Sequence, residues 1–185
     1  MPIITLTTDL GTVDHYVSAV KATILRQLDN ANIVDISHDI PSFNIMHAAF
    51  VLKNVYQEFP AGSIHIIGVN AETNKDNSHL AVYANGHYFV GTDNGIFSLL
   101  LDLKPDKIVE ITTSRDSDNE NFPVKDVFAK AACHIARGGT LEIIGTEIKQ
   151  FSKEFAKLEA LHYKNSIRGS IIHIDHYGNA ITNIS

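Results

Sequence analysis

The sequence predicts an α/β fold in which a mostly parallel sheet carries helices on both faces, followed by the start of a C-terminal β-rich domain. Short apolar runs rich in β-branched residues alternate with longer stretches of helical periodicity, a pattern typical of parallel sheets. The pair Asn85-Gly86 separates two such runs and is a strong hairpin signal. After Thr140 the pattern changes to a polar stretch and two short strands.

The predicted elements of the first part alternate along the chain. Strands are predicted at the short apolar runs 3–8, 33–36, 63–69, 80–84, 88–91 and 107–111. Helices are predicted at 13–28, 44–56, 93–101 and 126–137. In the first helix Tyr16, Val20 and Ile24 recur at helical spacing, and Asn44 is a suitable N-cap for the second. The pair Gly138-Gly139 ends the last one.

These patterns divide the sequence into three parts. We expect an α/β domain at 1–148, a polar connector at 149–166 and the first strands of an incomplete β-domain at 167–185. Two short strands, predicted at 170–174 and 180–184, cannot form a stable domain by themselves. We therefore expect either a truncated chain or a further β-domain beyond it.

Composition narrows the range of partners. A chain of 185 residues accommodates one domain, or one domain and the beginning of another. The single cysteine, Cys133, excludes an internal disulfide and favours a reducing compartment. No apolar run approaches the ~18 residues that a membrane span needs, and nothing at the amino terminus resembles a signal peptide. The net charge of −6, without a basic block, argues against nucleic acid. We expect a cytoplasmic protein that contacts neither membrane nor nucleic acid.

The loop after the first strand is the strongest candidate for a ligand site. Asp9 and Asp14 bracket a glycine-containing turn from strand to helix, at the edge where α/β sheets bind their ligands. A carboxylate there can accept two hydrogen bonds, which suits the cis-diol of a ribose. Alternatively, Asp9 caps the helix and Asp14 favours its amino end. We favour ligand binding for Asp9 and leave Asp14 open.

Other polar positions carry weaker signals. The polar segment 70–78 follows the carboxyl end of a strand and is either a ligand loop or a solvated one. Phe43 can roof a pocket or belong to the core, and Asn94 can be a turn residue. The ten histidines show no metal-ligand spacing, so no metal site is predicted.

Five stretches together resemble the S-adenosylmethionine (SAM) hydroxide adenosyltransferase family, which is related to the fluorinase and chlorinase enzymes. They are TTDLGTVD at 7–14, VDISHDIP at 34–41, FPAGSIH at 59–65, DNG at 93–95 and IDHYGNAITNI at 174–184. The resemblance implies that an α/β nucleoside-binding domain precedes a C-terminal β-barrel in a homotrimer. SAM then lies between one subunit's first domain and its neighbour's barrel. SAM is the substrate or ligand, and no separate cofactor is expected.

The resemblance also implies roles for individual residues of the first domain. Asp9 would bind the ribose hydroxyls, with Asp14 close by and Phe43 beside the ribose. Thr73 and Phe122 would line the nucleoside pocket.

Three residues of the last stretch would complete the binding site. Asp175 would face the methionine amino group, and Tyr177 and Asn179 would meet the adenine.

The sequence departs from the family at three positions. The hydrolases of this family carry an Asp, an Arg and a His thought to position and activate the attacking water, and here these positions hold Asn70, Asn77 and Pro123. None of the three can act as a base, although Asn70 can orient a water or donate a hydrogen bond to an anion. The halogenases of the family need no base, because their nucleophile is a halide. The catalytic residues are therefore left unassigned.

Three functions remain open from the sequence. The first is an enzyme that cleaves SAM with water or another small nucleophile. The second is a catalytically degenerate protein that binds SAM or adenosine. The third is a metal-dependent nucleoside hydrolase, although Thr7 stands where such an enzyme would be expected to carry another Asp.

Overall fold

The structure is a computed structural model that describes residues 3–72, 77–112, 121–156 and 159–184. The chain forms two compact units, one ending at Glu154 and the other beginning at Phe155. No helix in these described ranges is both long and apolar enough to cross a membrane.

The first unit is built on one sheet of seven strands. They are β1 (Ile3–Thr8), β2 (Asn32–Ser37), β3 (Ile64–Gly68), β4 (His79–Ala84), β5 (His87–Thr92), β6 (Lys107–Ile111) and β7 (Gly145–Ile148). Their order across the sheet is β2-β1-β3-β5-β4-β6-β7. The pairs β2-β1, β1-β3 and β3-β5 are parallel, whereas β5-β4, β4-β6 and β6-β7 are antiparallel. The predicted α/β class is confirmed, and the sheet is mixed because β4, directly joined to β5 by a hairpin, and β7 run opposite to the other five strands.

The hairpin between β4 and β5 forms at the predicted turn. Asn85 and Gly86 have φ angles of 53° and 78°, the pair of left-handed conformations that a type I′ turn requires. The Asn85 side-chain amide also donates a hydrogen bond to the Tyr56 hydroxyl at 3.0 Å. The turn sequence therefore fixes the antiparallel pairing of these two strands.

Within the described ranges, five α-helices and two short helical turns accompany the sheet. The helices are α1 (Tyr16–Gln27), α2 (Ile45–Lys53), α3 (Ile96–Leu100), α4 (Ala129–Ala136) and α5 (Leu141–Ile144). A 3-10 turn covers Tyr56–Glu58, and a π-helical turn at Val124–Phe128 leads directly into α4. The predicted N-cap of α2 is confirmed, since the Asn44 side chain accepts a hydrogen bond from the His47 amide at 3.0 Å.

Apolar side chains cover both faces of the sheet. Leu6 and Ile66 belong to the core on the face of α1 and α4, whereas Ile67, Val82 and Phe89 belong to the core on the face of α2 and α3. Neighbouring strand residues such as Ile66 and Ile67 alternate between the faces, as the pleat of a strand demands. Each of these side chains is fully buried and contributes roughly 1.5–3 kcal/mol of transfer free energy.

The second unit contains two short hairpins. The strand β8 (Leu161–Tyr163) pairs with β9 (Ser166–Arg168), and β10 (Ile171–Ile174) pairs with β11 (Ala180–Thr182). The first hairpin lies largely within the range 149–166 that the sequence analysis assigned to a connector. The boundaries of the three predicted parts, and the barrel, stay predictions.

A pair of histidines is buried near the amino ends of the central strands. His65 Nδ1 lies 2.8 Å from the Thr5 hydroxyl, and His65 Nε2 lies 3.2 Å from His87 Nδ1. The His65 ring stacks on Phe89, and the edge of Tyr56 meets both histidine rings. Burial, and secondly the neighbouring His87, lower the pKa of His65 to about 3.

This buried histidine predicts a loss of stability in mild acid. In the unfolded chain His65 takes up a proton near pH 6.5, but in the folded state only near pH 3. Above pH 6.5 the histidine is neutral in both states and does not reduce the free energy of unfolding. As the pH falls from 6.5 toward 3, the unfolded state is favoured by protonation, and the free energy of unfolding decreases by up to about 1.4 kcal/mol per pH unit. We expect His65→Gln to flatten the dependence of unfolding free energy on pH in this window, measured by urea denaturation. The exposed His176→Gln is the control, and equal slopes in wild type and His65→Gln would contradict this expectation.

Candidate functional site

The Asp9 side chain joins three loops at the carboxyl ends of neighbouring parallel strands. Asp9 follows β1, and its Oδ2 accepts hydrogen bonds from the amide of Phe43 at 2.9 Å and the amide of Asn70 at 3.2 Å. Phe43 lies in the loop after β2 and Asn70 in the loop after β3. Within the described part of the chain, no residue donates a hydrogen bond to the other oxygen, Oδ1. That oxygen is available to a ligand hydroxyl.

The two residues that donate to Asp9 both have left-handed backbones. The φ angles are 65° for Phe43 and 48° for Asn70, a region that non-glycine residues occupy at a cost. This conformation turns both amides toward the same carboxylate oxygen. The charge-assisted hydrogen bonds, worth about 1.5–3 kcal/mol each, offset the strain. Asp9 is therefore part of the structure of the site as well as a candidate ligand contact.

The buried Asn94 side chain anchors the loop that contains Asn70 through hydrogen bonds. Its side-chain amide is buried and donates to the carbonyls of Val69 at 3.1 Å and Asn70 at 3.2 Å. Its Oδ1 accepts the amide of Ile96 at the start of α3 at 3.2 Å. Asn94 is thus more than the turn residue considered from the sequence, because it connects the loop after β3 to a helix of the core.

A cavity of about 270 Å³ opens beside Asp9. Its lining comes from five segments of the first unit, namely Asp9, Leu10, Tyr16, Ser42, Phe43, Gly68, Asn70, Ala71, Glu72, Asn121, Phe122, Pro123 and Val124. The volume lies just below the range of about 300–1,000 Å³ that is typical of small-molecule sites. Among the described residues, the lining contributes two carboxyl groups and no basic side chain.

The cavity brings together part of the predicted site. Asp9, Phe43, Asn70 and Phe122 all line it. Asp14 is exposed and is not among the lining residues, and Thr73 lies outside the described residues.

The sequence analysis did not assign Tyr16 or Glu72 to the site, although both line the cavity. Tyr16 was interpreted only as part of the helical periodicity of α1, yet its ring meets the edge of Phe122 at 5.5 Å between centroids and lines the cavity. Glu72 lies in the polar segment 70–78, where nothing distinguishes it from its neighbours by sequence alone.

The predicted residues of the second unit form a tight turn. Asp175 Oδ1 accepts the amides of Tyr177 at 2.9 Å and Asn179 at 2.8 Å, and Oδ2 accepts the Asn179 side-chain amide at 2.7 Å. The Asn179 side chain, followed by these backbone amides, keeps the pKa of Asp175 below its ordinary value. The Tyr177 side chain is 89% exposed. The turn therefore presents an aromatic ring to the outside while its carboxylate organises the backbone.

Comparison with known proteins identifies the family. The family model described as the SAM hydroxide adenosyltransferase N-terminal domain matches residues 4–145. The chain belongs to this family. A protein named (R)-S-adenosyl-L-methionine hydrolase from Methanocaldococcus jannaschii is 34% identical over 190 residues, which cover 100% of this chain and 67% of that protein. A protein of the same name from Thermus thermophilus is 30% identical and is covered to 72%, with 95% of this chain aligned.

Solved structures support the same assignment at the level of the fold. The crystal structure of an uncharacterized conserved protein from Thermotoga maritima superimposes with a TM-score of 0.91 at 26% identity, covering 98% of this chain and 71% of that one. The crystal structure of a conserved hypothetical protein from Thermus thermophilus superimposes with a TM-score of 0.79 at 27% identity, covering 99% and 72%. The chain is thus a SAM hydrolase/adenosyltransferase-like protein with the family's α/β fold.

The three residues that the family resemblance aligns with the hydrolases' Asp, Arg and His, namely Asn70, Asn77 and Pro123, lie in different surroundings. Asn70 and Pro123 line the cavity, and Pro123 precedes the π-helical turn with a φ of −54°. Asn77 is not among the lining residues, and its side-chain oxygen accepts a hydrogen bond from the Lys153 ammonium. Of these three residues, Asn70 and Pro123 reach the cavity, and neither can act as a base.

Because the Asn94 side-chain amide is buried and donates two hydrogen bonds, we expect the isosteric change Asn94→Asp to destabilise the protein. In Asn94→Asp the carboxylate cannot donate to the carbonyls of Val69 and Asn70, so one buried and one partly buried acceptor lose their partner. We expect the free energy of unfolding to fall by roughly 2–3 kcal/mol, read from urea denaturation. Asn54→Asp, whose side chain bonds an exposed helix carbonyl, serves as control. An unchanged denaturation midpoint for Asn94→Asp would exclude the tethering role.

Proposed function

We propose that this protein binds SAM with the ribose hydroxyls at Asp9 and cleaves the bond between the SAM sulfur and ribose C5′. The observation that carries the proposal is the Asp9 carboxylate, which lines the cavity with Oδ2 fixed by two amides and Oδ1 free of donors within the described residues. A carboxylate oxygen held in this way accepts ligand hydroxyls without first reorganising.

The walls of the cavity suit the remainder of SAM. Phe43, which is 59% exposed, and Phe122 offer aromatic surface for a nucleoside. Asp9 and Glu72 place two carboxyl groups around the ligand, and the described part of the lining has no basic side chain, which favours a ligand with a positive charge. The sulfonium of SAM carries such a charge, whereas adenosine does not.

The reaction needs a nucleophile and no acid. A water oxygen forms a bond to C5′ while the bond from C5′ to sulfur breaks, and the electron pair of that bond stays on sulfur. Methionine leaves as a neutral thioether, so its departure requires no proton. The attacking water loses one proton, and the products are adenosine, methionine and that proton. The protein's task is to hold water in line with the breaking bond and to accept the proton.

We assign Glu72 as the general base that accepts the proton from the attacking water. The family's base positions hold Asn70, Asn77 and Pro123, none of which can accept a proton from water. The Asp9 carboxylate already accepts hydrogen bonds from the two loop amides and, in this proposal, from the ribose hydroxyls. Glu72 lines the same cavity, and among the described lining residues it supplies the only carboxyl group besides Asp9.

The rest of the proposed complex follows the family resemblance. We propose a cytoplasmic homotrimer in which SAM meets Asp175, Tyr177 and Asn179 of a neighbouring subunit, with Asp14 and Thr73 near the nucleoside. SAM is the substrate, and no further cofactor takes part. The family assignment does not favour a metal-dependent nucleoside hydrolase.

The binding step is tested by removing the Asp9 carboxylate. Because two charge-assisted hydrogen bonds to ribose are lost, we expect Asp9→Ala to weaken adenosine and SAM binding by about 100-fold or more in calorimetric titration. The exposed Asp29→Ala keeps the net charge change equal and is expected to bind as the wild type does. Thermal unfolding of both variants checks that the loops stay folded. Undiminished binding by folded Asp9→Ala would refute the site.

The chemical step is tested by Glu72→Gln. We expect the wild type to release adenosine from SAM, and Glu72→Gln to lower kcat by roughly 10²–10⁴-fold, since a general base contributes about that much. Adenosine is quantified by chromatography, with the exposed Glu58→Gln as control.

Two outcomes would contradict this assignment. Full activity of Glu72→Gln would remove Glu72 from the mechanism. A wild type that binds SAM but releases no adenosine would show a binding protein without catalysis.

A further inference from the structure

His38 is buried beside the Asp9 loop and is not among the residues that line the cavity. Its side chain is 6% exposed. Its Nδ1 lies 2.8 Å from the hydroxyl of Thr8, and its carbonyl accepts the amide of Gly11 at 2.9 Å. His38 thus contacts the chain immediately before Asp9 and again two residues after it.

The other ring nitrogen faces a carboxylate. His38 Nε2 lies 3.1 Å from Asp35 Oδ1, a close electrostatic contact rather than a well-aligned hydrogen bond. Asp35 also accepts a hydrogen bond from Lys21 of α1 at 2.5 Å. Partial burial raises the pKa of Asp35, but Lys21 and His38 outweigh it and bring the pKa below its ordinary value. Asp35 is therefore an anion at neutral pH.

The charge of Asp35 determines where His38 carries its proton. A bare Nε2 lone pair at this distance would repel the carboxylate, so Nε2 bears hydrogen. In the neutral ring Nδ1 is then an acceptor, and the Thr8 hydroxyl must donate to it. The Thr8 oxygen in turn accepts the Leu10 amide at 3.4 Å. The polar hydrogens of Leu10, Thr8 and His38 therefore all point in one direction, toward Asp35.

We infer that His38 is a positioning residue that fixes Thr8 and Leu10 and thereby places the Asp9 carboxylate for its ligand. Asp9 lies between these two residues, and its amide also bonds the Gly68 carbonyl of β3 at 3.3 Å. His38 itself touches no cavity surface, so it acts through the loop. This inference rests on the proposed function, because it takes Asp9 as the ribose contact.

Paired variants of Thr8 test the relay without removing a side chain from the core. Thr8→Val keeps the shape but loses the hydroxyl, and Thr8→Ser keeps the hydroxyl. We expect adenosine and SAM binding to weaken about tenfold in Thr8→Val and His38→Ala, with Thr8→Ser within twofold of the wild type. His87→Ala, an equally buried histidine at the opposite end of the strands, is the control and is expected to bind as the wild type does.

A combination with Asp9→Ala separates positioning from general destabilisation. If His38 acts only through Asp9, His38→Ala weakens binding in the wild-type background but causes no further loss in Asp9→Ala. A general loss of stability would instead weaken binding equally in both backgrounds. Wild-type binding by Thr8→Val and His38→Ala, or losses that add in full, would overturn the inference.

Measurements on the free protein keep the inference separate from the proposed function. We expect ¹⁵N NMR to show His38 as the Nε2–H tautomer, and the amides of Leu10 and Gly11 to exchange at least tenfold faster in Thr8→Val than in Thr8→Ser. The opposite tautomer, or equal exchange, would overturn the role of His38. If the wild type binds neither adenosine nor SAM, the proposed function fails, and exchange alone then decides whether His38 holds the loop.

Discussion

The site depends on one carboxylate oxygen that accepts two backbone amides. Asp9 Oδ2 draws the loops after β2 and β3 together, and both donors, Phe43 and Asn70, adopt left-handed backbones to reach it. Asn94 anchors the second of these loops by a hydrogen bond to the Asn70 carbonyl, and His38 contacts the Asp9 loop through the Thr8 hydroxyl. The same side chain therefore determines the shape of the cavity and offers its remaining oxygen to a ligand. Loss of Asp9 changes both at once, which is why stability and binding have to be measured together.

Local periodicity was enough to locate most of the first unit. The strands Ile3–Thr8 and Lys107–Ile111 begin and end where their apolar runs do, and Asn85-Gly86 forms its hairpin. The strand Gly145–Ile148 was not predicted because it is short and only half-buried, so its sequence has no clear hydrophobic pattern. It is a strand because it pairs with β6. The mixed direction of the sheet depends on which strands become neighbours, and that is a long-range property.

The candidate site was likewise predictable from the sequence only where local features place its residues. Asp9 follows its strand directly, so its position at the sheet edge could be inferred from the chain alone, and the family motifs led to Phe43 and Phe122. Glu72 and Tyr16 reach the cavity only because β1 and β3 are neighbours and α1 packs on their face. No local pattern encodes that proximity. A tyrosine on a helical stripe looks like core until the partner segment is known.

The two carboxyl groups of the cavity have a consequence for turnover. In the proposed reaction the positive charge of the ligand disappears when the bond to C5′ breaks, because methionine and adenosine are uncharged at the reacting atoms. The attraction between the sulfonium and the carboxyl groups of Asp9 and Glu72 ends at that moment. A cavity of this polarity therefore holds substrate more firmly than product, so the chemistry itself favours departure of the products.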